Sequence, residues 1–112
     1  MEDLAKIFKM LSDKNRLRII GLLLKRKMCV CELAFVLGVT QPSVSRHLKL
    51  MKGVGLVSDE KDRFWTNYFI NCQDPKAAMI LKYIKGWFKD NQVILDDLER
   101  LKGVDRKNIC GC

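Results

Sequence analysis

The stretch ELAFVLGVTQPSVSRHLKLMKGVGLV, residues 32–57, leaves little freedom in how it folds. Val30, Leu33, Ala34 and Leu37 repeat at helical spacing, and Gly38 supplies the stop of a short helix. Thr40 is a natural N-cap, and Pro42 falls in the first turn of the next helix, where its missing N–H costs nothing. That helix buries Val44, Leu48 and Met51 and ends at Gly53-Val54-Gly55. The order is therefore helix, short turn, helix, then strand.

The flanking segments fill in the rest. Leu4, Ile7, Phe8 and Leu11 predict an amphipathic first helix, and a second runs from about Asn15 to Lys25. LVS and FWTNYFI read as two strands around the polar turn Asp59 to Arg63. After a turn at Asn71 to Pro75, a long final helix is expected from about Ala77 to Leu101. Its row Ile80, Ile84, Trp87, Ile94, Leu98 and Leu101 is a seam, either for a partner helix or for its own domain.

Lysine and arginine outnumber aspartate and glutamate 21 to 13, a net charge of +8 over 112 residues. Such a surface favours an anionic partner, nucleic acid before a membrane. The longest apolar stretch, Ile19 to Leu24, is too short to cross a bilayer, and MEDLAKIF is unlike a secretory leader. A cytoplasmic protein without a membrane partner is expected, with Cys29, Cys31, Cys72, Cys110 and Cys112 kept as thiols. Catalysis is not expected: no CxxC is present, and no histidine lies near either thiol pair.

On the helix after Thr40, about 100° per residue sets Ser45, Arg46 and Lys49 opposite the buried stripe. Gln41 and Ser43 lie in its first turn, the part of a recognition helix that meets base edges. Arginine suits guanine, glutamine suits adenine, and serine suits phosphate or a base edge. Lys61 and Arg63 near the hairpin tip would touch phosphate or the minor groove. His47 sits beside the stripe, placed to be half-buried or to contact phosphate rather than to bind metal.

CVCELAFVLGVTQPSVSRHLKLMKGVGLV resembles the core of the ArsR–SmtB family of winged-helix metal-sensing repressors, and the similarity extends from about Leu4 to Leu101. The resemblance implies a mainly α winged helix-turn-helix with a small β-wing, dimeric through its terminal helices. Such a homodimer would bind double-stranded operator DNA and be released by an inducer. Residues 1–103 would form the DNA-binding and dimerisation domain, and residues 104–112 a flexible tail bearing Cys110 and Cys112. The CVC pair resembles the inducer site of arsenite-responsive and cadmium/lead-responsive members. Where arsenite sensors carry a third cysteine, this chain has Ala34.

Physical chemistry sharpens the role of CVC. In a formed helix Cys29 and Cys31 would point about 200° apart and could not share one ion. In an extended segment the same spacing puts both side chains on one face. Chelation therefore requires the first turn to be absent or to unwind, and helix ends open cheaply. Thiolate-only sites select soft ions, with arsenite or antimonite taking three sulfurs and cadmium or lead three or four. Cys110 and Cys112 are the natural source of the missing sulfur, in either protomer, or else form a separate site of their own. A redox or persulfide switch is the alternative use of paired thiols, and Cys72 reads as a small semi-buried residue.

Overall fold

The computed structural model describes residues 1–106 and 109. Its elements run α1 (Glu2–Leu11), α2 (Lys14–Leu23), α3 (Val30–Leu37), α4 (Gln41–Gly53), β1 (Val57–Asp62), β2 (Trp65–Ile70), α5 (Pro75–Phe88) and α6 (Gln92–Leu101). Local chemistry sets the helix-turn-helix as the sequence predicts. Gly38 takes the left-handed conformation at φ 71° that ends α3, and the Thr40 hydroxyl accepts from the Ser43 N–H to start α4. Ile19, Ile20, Leu33, Val44, Leu48, Met51 and Leu56 are fully buried, so α2, α3, α4 and the base of the wing share one core.

The hairpin corrects one expectation. Asp59 to Asp62 do not form the turn but lie within β1, in register from Val57–Ile70 to Asp62–Trp65. Only Arg63 and Phe64 reverse the chain, with Arg63 at φ 58°. The outer half of the hairpin is solvated, so charged side chains cost nothing on its strands. On the inner side Met28 bridges to Tyr68 through two backbone hydrogen bonds, 3.1 and 2.8 Å long. The residue before Cys29 is thereby stitched to the wing.

The single final helix is also corrected. The chain breaks after α5, and the Asn91 side chain accepts from the N–H groups of Val93 and Ile94 to start α6. The apolar row splits with it: Ile84, Ile94 and Leu101 are buried, while Trp87 is 72% exposed and shares an outward row with Met79 and Tyr83. In α1 the buried pair is Ile7 and Met10, and Phe8 faces solvent instead of the core.

The break lets α6 fold back onto α2 and α3. A Cβ on Gly21 would fall 2.9 Å from Ile94 Cδ1, so α2 and α6 approach closely. Asp97, buried on α6, accepts two hydrogen bonds from the Arg18 guanidinium of α2, at 2.8 and 2.9 Å. Arg100 also donates to Asp97, and its Nε reaches the Val36 carbonyl of α3 at 3.0 Å. Asp97→Ala should destabilise the protein by about 3 kcal/mol in urea unfolding, because it strands a largely buried guanidinium.

Candidate functional site

The chain carries two candidate sites, one for nucleic acid and one built on thiols. On α4, Gln41, Ser45, Arg46 and Lys49 are exposed, while Ser43 and His47 are half-buried. Lys61 and Arg63 are exposed at the outer end of the wing, where Phe64 is 85% exposed. Two of the wing's three acids are neutralised from its own domain: Glu60 by Lys27 at 2.7 Å and Asp59 by Lys52 at 3.0 Å. Arg46, Lys49, Lys61 and Arg63 make no ion pair among the described residues. The cations of the candidate reading face thus remain available for phosphate and base edges.

Arg16, which sequence reasoning passed over, positions this face from behind. Its Nε donates to the Met10 carbonyl at 2.8 Å, and its Nη1 lies 3.3 Å from His47 Nδ1. Asp13 caps α2 by accepting from the Arg16 N–H. That hydrogen bond, with the nearby charges of Arg16 and His47, holds its carboxyl below the ordinary value.

The thiol site differs from the geometry expected of a fully helical CVC. Cys29 stands outside α3 as its N-cap, with extended backbone at φ −88° and ψ 170°. It is buried, and Cys31, the second residue of the helix, is half-buried. Cys29 takes the place usually held by serine or threonine in a capping box. The Glu32 amide faces its sulfur, and the Glu32 carboxylate accepts from its N–H at 3.1 Å. Cys29 therefore lies outside the helix, while Cys31 sits within its first turn.

Glu32 gathers more than the cap. It is 2% exposed, and its Oε1 also accepts from Arg106 Nη2 at 2.8 Å while Oε2 accepts from Arg26 at 2.9 Å. Burial alone would raise the carboxyl, yet the hydrogen bonds from Arg106, the Cys29 amide and Arg26 hold it below the usual glutamate value. Arg106 reaches on to the wing: it donates to Asn67 of β2, and its guanidinium lies 4.7 Å from the centre of the Trp65 ring. Neither Glu32 nor Arg106 stood out in the sequence, although the spacing from Cys29 to Glu32 is that of a capping box.

The structure does not bring Cys72 to this site. Its Sγ lies 3.8 Å from the Leu56 carbonyl, and burial, with Asp74 nearby, pushes its thiol up. Cys110 and Cys112 lie outside the described residues. Among the described residues no three His, Cys, Asp or Glu side chains are grouped to hold a metal ion. The Cys29–Cys31 pair alone fits the donor chemistry of a soft ion but falls one sulfur short of a three-thiolate set. No helix is long and apolar enough to cross a membrane among the described residues.

Residues 13–59 match the family described as bacterial regulatory protein, arsR family. Over 111 residues the chain is 37% identical to the arsenical resistance operon repressor of Escherichia coli (strain K12), covering 94% of this chain and 93% of that protein. Over 64 residues it is 39% identical to a cadmium resistance transcriptional regulatory protein of Listeria innocua, covering 56% of this chain and 54% of that protein. Among solved structures, it shares its fold with a homodimeric winged helix-turn-helix DNA-binding domain from Mycobacterium bovis. The TM-score is 0.67 at 22% identity, with 81% of this chain and 82% of that one covered.

The depressed Glu32 carboxyl makes a pH prediction. A group with a lowered folded value stabilises fully above its unfolded value, near the ordinary 4.5, and loses that contribution as pH falls through the lower folded value. Wild type should therefore exceed Glu32→Gln in urea stability at neutral pH, and the difference should shrink only below about pH 4.5. A gap that stays constant through the acid range would contradict the ionised seat.

Proposed function

This chain belongs to the ArsR family of bacterial regulatory proteins and is a transcriptional repressor with a DNA-binding winged helix; we propose that a soft thiophilic ion releases it from its operator by binding the thiolates of Cys29 and Cys31. Arsenite or antimonite is the preferred inducer, and cadmium or lead the alternative. A third sulfur comes from Cys110 or Cys112. The observation that carries this reading is the position of Cys29: a buried thiol in extended backbone at the start of α3, one short turn ahead of α4.

The tail reading draws support from Arg106, which docks beside Cys29 through Glu32. Ile109, the residue before Cys110, hydrogen-bonds through its N–H to the Asp105 carbonyl at 3.0 Å. Four residues of chain beyond Arg106 span at most about 14 Å, and the tail sulfur comes from the same protomer or from its partner.

On the DNA side, Arg46 and Gln41 read base edges from the major groove, Ser43, Ser45, His47 and Lys49 add base or phosphate contacts, and Lys61 and Arg63 contact the backbone from the wing. The operator is bound by a homodimer, for which the exposed apolar row of Met79, Tyr83 and Trp87 on α5 and Phe8 on α1 offers the area. Inducer binding favours a conformation in which the start of α3 is open. Because α3 leads through Gly38 into α4, that conformation misplaces the reading helices and lowers operator affinity.

The test is a titration of the reduced protein–operator complex with arsenite, antimonite, cadmium and lead under anaerobic conditions. Cys29→Ser and Cys31→Ser should keep wild-type operator affinity and lose release. Release by peroxide or polysulfide, with no response to any of the ions, would move the function to a redox or persulfide switch. In the absence of inducer, Arg46→Ala should weaken specific binding by about 1–3 kcal/mol while affecting scrambled DNA less.

A further inference from the structure

Arg106 lies outside every element that reads DNA or carries the CVC thiols, yet it touches the neighbours of both. Its guanidinium donates to Glu32 at 2.8 and 3.3 Å and to Asn67, and it stacks on Trp65. Glu32 Oε1, which it occupies, is the same oxygen that accepts the Cys29 N–H. One planar cation therefore joins the cap of α3, the strand β2 of the wing and the C-terminal segment. Its side chain is 20% exposed against 3% for Glu32, so the pair is shielded enough to matter.

We infer that Arg106 is a positioning residue that holds the thiol site closed: through Glu32 it keeps Cys29 capped and buried, and it passes the opening of that cap to the wing through Asn67 and Trp65. The inference rests on the thiol-site reading above and goes beyond it by naming what opposes the inducer. Opening the first turn of α3 carries Glu32 away from the Cys29 amide and from Arg106 together, since all three meet at one oxygen. The Arg106 fork then loses its carboxylate, and β2 loses this tie to the start of α3. Among the described residues the second cation on Glu32, Arg26, makes its other hydrogen bond to the adjacent Lys27 carbonyl and none to the wing.

Two measurements on the full chain test this, one with an ion and one without. In Arg106→Ala the arsenite concentration for half-release of operator should fall about tenfold, the loss of one charge-assisted contact from the closed state. The tail remains tethered in this variant through Val104, which packs against the core. An unchanged or higher half-release concentration, with wild type still responding, overturns the inference and assigns Arg106 to seating the tail. Without any ion, iodoacetamide should alkylate Cys29 about tenfold faster in Arg106→Ala than in wild type, with the rate at half-buried Cys72 unchanged. An unchanged Cys29 rate, or equal acceleration at Cys29 and Cys72, overturns it as well, the latter marking general loosening. Failure of wild type to respond to any soft ion would remove the thiol-site reading, while the alkylation result would still decide the role of Arg106.

Discussion

A carboxylate buried to 2% exposure must be met by donors, and the Glu32 carboxylate is met from three directions: the Cys29 amide, Arg26 and Arg106. Removing any one partner leaves part of a buried charge uncompensated, so the three are constrained together. This constraint fixes the start of α3 and ties it to the C-terminal segment and, through Arg106, to the wing. At the other end of α3, Arg100 holds the Val36 carbonyl while bonding to Asp97. α3 is thus held near both ends by arginines, Arg100 of α6 and Arg106 beyond it.

That arrangement explains how a small change at two sulfurs would reach the DNA face. Met28, immediately before Cys29, pairs with Tyr68 of the wing, and Gly38, immediately after α3, leads into α4. A rearrangement at Cys29 would therefore reach the wing through the neighbouring Met28 bridge and α4 along the length of α3. Lys27 reinforces the wing contact, pairing with Glu60 and lying 4.9 Å from the Phe69 ring centre.

The helix-turn-helix was legible in the sequence because its signals are local. Gly38, Thr40, Pro42 and the Val44–Leu48–Met51 stripe act within a few residues of themselves. The wing was half legible: Asp59 to Asp62 look like a turn by composition, yet a solvated ladder accepts charges that a buried one would refuse. The break at Asn91 had its signal, an N-cap residue, but the apolar row continued across it and concealed the change of direction. The Cys29–Glu32 cap had a local signal in its spacing, but the Glu32–Arg106 pair had none, since the two stand 74 positions apart. Long-range polar partners leave no periodicity behind.

The most direct measurement is amide hydrogen exchange at the start of α3 in the reduced, operator-free protein with and without arsenite. The Cys29 N–H bonds to Glu32, and the Leu33 N–H bonds to the Cys29 carbonyl at 3.2 Å, so both report the first turn. The account predicts that arsenite removes protection at Leu33 while the α4 core amides at Leu48 and Met51 keep theirs. Full protection at Leu33 in a protein that has bound arsenite and lost its operator would contradict it.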